Sequence, residues 1–276
     1  MKICIGVRVY NRIMDLEVLI DIINKTWRKH DYDIVVITNG EYAGYTIPHF
    51  VRNNVNHIVS ISQNSGHILG SSQLLLALYD YTFNMDYAYH IIIEADTWMH
   101  GDDIVDKYIG IMENDNEIVY AGAHWYDNYY SLATDFGIIK SSYLYSNRNM
   151  FLFKNHAECH IANYINSNNG KFLYITENTY PNLPGYAVRF MYPFSSKGRI
   201  NCFPFSKTVT HHIEDLKGGI ERKKRLFDIV SQTNFFGTTM NANAYILRCL
   251  MIITFLISKI LFRKSWYSRN NTMLDC

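Results

Sequence analysis

HIIIEADTWMH, residues 90–100, drives three isoleucines straight into two carboxylates, Glu94 and Asp96, one residue apart. With the residues before it, YAYHIIIEAD (87–96) predicts a strand that is apolar on both faces. Such strands belong to a mostly parallel sheet covered by helices, and ligands collect outside the carboxyl ends of those strands. Two acids at i and i+2 can aim at one cation once the chain bends into a loop. Mg²⁺-type ions are commonly held by one or two carboxylates plus substrate phosphates. The competing readings are a turn or capping role for Asp96 and a lone carboxylate base.

Working outward, the same pattern repeats. Lys2–Val9 (KICIGVRV) predicts a buried first strand, and Asp15–Trp27 has apolar residues at helical spacing. YDIVVITNG (32–40) is a second strand closed by the turn pair Asn39-Gly40, and NHIVSIS (56–62) is a short third. NSGHILG (64–70) is a two-glycine loop leading into a helix from about Ser71 to Thr82. GDDIVDKYIGIMEND (101–115) predicts a helix with Asp102 or Asp103 near its N-cap. The order is βαββαβα, an α/β fold. Beyond it, 117–130 and 135–145 read as strand and turn segments. AECHIANYINSNNG (157–170) reads as a helix with Gly170 past its end, KFLYIT (171–176) as a short strand, and 175–220 as loops.

Composition narrows the class. The chain has 276 residues, 48% hydrophobic and 15% aromatic, enough for one large domain with a real core. A net charge of +1 gives no footprint for nucleic acid. Five scattered cysteines form no metal or disulfide spacing, which suits a reduced cytosolic setting, and MKICIGVRVYNR does not read as a signal peptide. The tail differs: Cys249–Ser258 is strongly apolar and is bracketed by Arg248, Lys259, Arg263 and Lys264. The run is short for a bilayer crossing. It predicts a helix over about 244–264, either lying on a membrane surface or packed on the core. The expected division is a catalytic domain over 1–235 and a membrane-associating tail over 236–276.

Four segments, VRVYNR (7–12), VVITNGE (35–41), NSGHILG and EAD (94–96), resemble those of GT-A-fold glycosyltransferases, of the kind that builds bacterial surface glycans. Two later segments are also similar: AECHIANYINSNNGKFLYI (157–175) and VTHHIEDLKGG (209–219). The resemblance implies a GT-A-like sheet, a nucleotide-sugar donor, Mn²⁺ or Mg²⁺, and hexosyl transfer to a glycan or lipid-linked acceptor, with inversion. It implies donor contacts at Arg8, Tyr10, Asn11, Arg12, Asn39, Asn64, Gly66, Glu94 and Lys217. Asp96 would be the direct metal ligand, with Glu94 and either His211 or His212 beside it; imidazole tilts the metal towards manganese. Glu158 would be the base that takes the acceptor proton, with Asp135 the alternative, since burial in LATDFGI would raise its pKa. Arg8 and Arg12 would meet diphosphate or balance nearby carboxylates. Trp98, Trp125, Tyr126, Tyr129 and Tyr130 suit sugar stacking or the core.

Three positions depart from the family's pattern: Asn39 stands where many relatives carry aspartate, Glu94 replaces the first aspartate of the metal motif, and Cys159 follows Glu158 where a second acid is usual. Two rivals remain at this stage. A nucleotidyltransferase would prefer a glycine- and base-rich loop after the first strand, where RVYNRIMD (8–15) has no glycine. A non-catalytic membrane-surface protein would keep the fold alone. The expected location is cytoplasmic, peripheral at the inner face of a membrane.

Overall fold

A computed structural model of the chain describes residues 1–124, 131–179, 200–211 and 219–261, the side chains of residues 211, 258, 259 and 261 excepted. Trp125, Tyr126, Tyr129, Tyr130, His212, Lys217, Arg263 and Lys264 lie outside the described residues, as do 180–199 within the stretch read as loops.

Four strands, β1 (Lys2–Val9), β2 (Asp31–Thr38), β3 (His57–Ser60) and β4 (Tyr89–Glu94), run in parallel. β5 (Thr97–Met99) follows at once, and then come β6 (Ile118–Gly122), β7 (Phe136–Lys140) and β8 (Lys171–Tyr174). The main sheet has the order β3-β2-β1-β4-β7-β6-β8, and β7 alone runs against its neighbours. The chain lays β2 and β3 on one side of β1, then returns to place β4 on the other. That reversal opens a crevice at the carboxyl ends of β1 and β4.

Alternation along β1 divides the core. Ile3, Ile5 and Val7 face α1 (Ile13–Thr26), packing with Leu16, Leu19 and Ile23. Cys4 faces the opposite layer with Leu74, Leu75 and Leu78 of the next long helix, His67–Thr82. Gly6 lies on that second face, and a Cβ there would run into Leu78. The missing side chain lets the helix rest directly on β1 above the crevice.

The helices in chain order are α1, α2 (His49–Asn53), α3 (His67–Thr82), α4 (Asp103–Asn114), α5 (Ser141–Ser146), α6 (Ala157–Ser167), α7 (Gly219–Ser231) and α8 (Ala242–Leu261). α3 begins at His67, one turn earlier than the pattern suggests, because Gly66 at φ 90° makes the sharp entry. Asp102 stands at the N-cap of α4 but caps nothing; its carboxylate accepts from the amides of Arg28 and Lys29 and from the Tyr32 hydroxyl. Gly170 is not the left-handed residue after α6. Asn169 is, at φ 57°, while Gly170 leaves room for Val119 and Ile165.

The larger correction concerns 175–220. β9 (Ile200–Phe203) and β10 (Thr208–His211) form a hairpin that pairs with β5 in a second, three-stranded sheet. Strands of three or four residues are too short to show a period. Trp98 is fully buried in this sheet against Phe227 and Phe236, so it is core and not a sugar platform.

At the far end, Met251 and Phe255 of α8 are buried, Phe255 against Phe203 and Phe205. Its other side exposes Tyr245, Ile246, Leu250, Ile253, Leu256, Ile257 and Ile260. Among the described residues no helix is long and apolar enough to cross a membrane.

Candidate active site

The crevice is a cleft of about 740 Å³. Arg8, Tyr10, Asn11 and Arg12 enter it from the end of β1, Asn39 from β2, Asn64 and Gly66 from the mouth of α3, and Glu94 and Asp96 from β4. Asp135 comes from the approach to β7 and Glu158 from the first turn of α6. These residues, spread over 150 positions of sequence, share one space. His211 ends β10 one residue beyond the pair Thr210–Thr97, beside the turn that carries Asp96; its side chain lies outside what is described.

Arg8 and Glu94 stand opposite each other on neighbouring strands. Arg8 is 4% exposed. One terminal nitrogen donates to Glu94 Oε1 at 3.0 Å and to the Thr134 carbonyl, and the other donates to Ser71 Oγ. Of the two expectations for Arg8, the geometry supports charge balance. The Arg8 Nε is buried with no hydrogen-bond partner.

Asp96 is left differently. Ala95 and Asp96 alone separate β4 from β5, so the chain turns sharply here. The Ala95 amide donates to the Arg8 carbonyl at 3.0 Å, fixing the start of the turn. Asp96 Oδ1 is buried and has no hydrogen-bond partner. Burial, followed by the nearby Glu94 charge, raises the Asp96 pKa well above the ordinary range, and Lys223 opposes the rise. A buried carboxylate oxygen with no donor is one that a divalent cation could satisfy. Among the described residues no group of three or more His, Cys, Asp or Glu is placed to hold a metal by itself. The donor set fits a hard divalent ion that takes one or two carboxylates and completes its shell from a ligand.

Two further carboxylates face the cleft. Asp135 is pushed up to about 7 by burial and then by Glu94. Its Oδ1 accepts the Phe136 amide at 3.0 Å and its carbonyl accepts the Glu94 amide, so its backbone is pinned to β4. Burial also raises Glu158. Burial thus favours the protonated form of both, an environment in which proton-transfer groups are found.

The mouth is polar and aromatic. Asn39 is buried with Oδ1 unpartnered. Tyr10 meets Tyr45 edge-on at 5.1 Å. Asn64 Oδ1 accepts the Gly66 amide at 3.2 Å, and His67 and Ile68 of the first turn of α3 also line the cleft.

Sequence reasoning missed four contributors. Ser71 and the Thr134 carbonyl hold Arg8. His156 lines the cleft in a left-handed conformation (φ 34°), which is uncommon outside glycine. Lys223 sits in ERKKR (221–225), a run that reads as a solvated face, yet it is fully buried.

No protein-family model matches the chain, and no curated protein does. Solved structures that match include the mannosyltransferase PcManGT from Pyrobaculum calidifontis in complex with GDP-Man and Mn²⁺: 10% identity, TM-score 0.47, covering 95% of this chain and 87% of that one. Another is a protein from Desulfovibrio desulfuricans G20, provisionally assigned as a nucleotide-diphospho-sugar transferase: 9% identity, TM-score 0.44, covering 71% of this chain and 89% of that one. Likeness of this size bears on neither substrate nor activity.

Proposed function

We propose that this chain is a GT-A-like, metal-dependent glycosyltransferase. It would move a hexosyl group from a nucleoside-diphosphate sugar to a glycan or lipid-linked acceptor, with inversion. The observation that carries the reading is the buried, unpartnered Oδ1 of Asp96 at the strand-order reversal, in a cleft shared with Asp135 and Glu158.

In this reading Asp96 holds Mn²⁺ or Mg²⁺, with Glu94 and His211 or His212 as further candidates. The bound cation supplies Lewis-acid neutralisation of the charge that develops on the departing diphosphate. Arg8 holds Glu94 in place through its ion pair. Tyr10, Asn11, Arg12, Asn39, Asn64 and Gly66 hold the donor's nucleotide end, with Lys217 as a phosphate contact. Glu158 takes the proton from the acceptor hydroxyl as its oxygen attacks, and Asp135 is the alternative base.

The tail reading extends this. Residues 236–276 would hold domain 1–235 on the inner face of a bacterial membrane, where surface-glycan acceptors are assembled. The exposed apolar face of α8 supports it. Each such side chain, once fully buried in lipid, contributes about 1.5–3 kcal/mol. Each basic residue near an anionic leaflet adds roughly 1 kcal/mol.

The test is nucleotide release from a panel of sugar donors, nucleoside diphosphate from UDP- and GDP-sugars and CMP from CMP-sugars, with and without Mn²⁺. One donor should be cleaved only with metal, and Asp96→Asn should abolish that turnover while leaving the melting curve in place. Metal-independent turnover, or an active Asp96→Asn, sinks the assignment. Glu158→Gln should lower kcat far more than donor affinity; if Asp135→Asn does so instead, the base is Asp135.

A further inference from the structure

Lys223 reaches the turn beneath the cleft from far along the chain. Its neighbours Glu221 and Arg225 are exposed, whereas Lys223 has no exposed surface. Its Nζ donates to Asp15 Oδ1 at 2.7 Å and to the carbonyl oxygen of Asp96 at 2.6 Å, and lies 3.9 Å from the centre of the Trp98 ring. Trp98 in turn donates through Nε1 to the Asp15 carbonyl at 3.2 Å. An ammonium group has three donors. Here two are hydrogen-bonded and the cation's remaining side meets an aromatic face, a favourable contact for a desolvated charge.

The arrangement joins three elements at one peptide. Asp15 belongs to α1, Trp98 to β5, and Lys223 to α7. The Asp96 carbonyl falls in the two-residue gap between the main and the second sheet, at the end of the β5–β10 pairing, and Lys223 grips it there. Without Lys223 that peptide loses its side-chain anchor, and a shift there would move the Asp96 carboxylate as well. A lysine elsewhere could offset the charge of Asp15; a lysine here also grips the backbone of the residue whose side-chain oxygen stands unpartnered in the cleft.

We infer that Lys223 is a positioning residue for the cation site: it fixes the Asp96 peptide so that the carboxylate is presented to the ion. The inference rests on the reading that Asp96 holds a divalent cation. It makes the site dependent on α7, an element outside the first 210 residues.

The test uses the full chain as wild type, Lys223→Met, the charge-removing pair Asp15→Asn/Lys223→Met, and the half-buried neighbour Lys224→Met. Two readouts are needed: amide hydrogen exchange across residues 94–99, and Mn²⁺ uptake in the presence of UDP or GDP, followed by the spin resonance of free Mn²⁺. Lys223→Met and the double variant should exchange at least tenfold faster there and bind Mn²⁺ at least tenfold more weakly, while Lys224→Met matches wild type. If Lys223→Met fails to fold, the double variant carries the comparison, because it leaves no lone buried charge. A folded double variant with wild-type exchange or wild-type Mn²⁺ affinity overturns the inference alone. Wild-type protein that takes up no Mn²⁺ with either nucleotide overturns the cation reading and this inference together. Amides of 96–98 exchanging as fast as open loops in the wild type would refute the fixed peptide without any variant.

Discussion

Asp135→Asn should make the protein more stable at pH 8 and leave it nearly unchanged at pH 4.5. The Asp135 carboxyl is pushed from 3.8 to about 7, first by burial and then by Glu94. A carboxyl with a raised folded pKa favours the protonated fold. That contribution is fully present below the unfolded value, declines as pH climbs, and is gone once pH passes the folded value. Above pH 7 the folded chain therefore carries an ionised group that it disfavours. The gap is about three pH units, and at 1.36 kcal/mol for each the ceiling is roughly 4 kcal/mol. Cleft water screens part of this, leaving about 2 kcal/mol. Asparagine keeps an oxygen for the Phe136 amide and discards the charge. For a chain of this size that is a rise in Tm of roughly 5 °C at pH 8. Thermal melts of both proteins from pH 4.5 to 8.5, without added metal, measure it. An unchanged difference across that range, or an asparagine variant less stable at pH 8, would refute the reasoning.

Gly40→Ala should cripple donor binding and lower the melting temperature by several degrees, because a Cβ at Gly40 would lie inside the contact radius of the Tyr10 carbonyl and displace the end of β1 at the cleft. Calorimetric titration with UDP or GDP plus Mn²⁺ checks it, and undiminished affinity would show that the end of β1 is not part of the donor site. Replacing Ile246, Ile253 and Ile257 together with serine should abolish co-sedimentation with phosphatidylglycerol-containing vesicles while the melting curve holds, since all three are exposed and none is core. Unaltered sedimentation would remove α8 from the membrane reading.

Much of the architecture was legible because the main strands announce themselves. β1 is mostly apolar between Lys2 and Arg8, and β4 stops at an acid, so both the parallel sheet and the place of Asp96 at a strand end could be read from the chain. The polar residues after β1 and β4 and at the mouth of α3 do share one cleft, since strand ends in such a sheet have nowhere else to converge. What could not be read was pairing across distance. β9 and β10 are too short for periodicity to mark them, and their partner β5 looked like the tail of a turn. Nothing local in ERKKR distinguishes the buried Lys223 from its neighbours; only Asp15 and Asp96, more than a hundred residues away, do so. Arg8 was ambiguous for a related reason. Whether an arginine faces a ligand or a carboxylate depends on which strand lies beside it.

The second sheet has a consequence for synthesis. β1–β4 complete their parallel pairings once the first hundred or so residues have left the ribosome, but β5 must wait for β10, which begins at Thr208. At about 5–20 residues per second the delay is on the order of 5–20 s. Throughout it Trp98, Asp15 and the peptide of Asp96 lack the hairpin and the lysine that later enclose them. The nascent chain thus presents an indole and an unsealed acidic turn beside β4 while β6, β7 and β8 are still being added to the main sheet. The cleft closes last, from its floor, and a chain that stalls before residue 208 carries a well-folded half with no finished site.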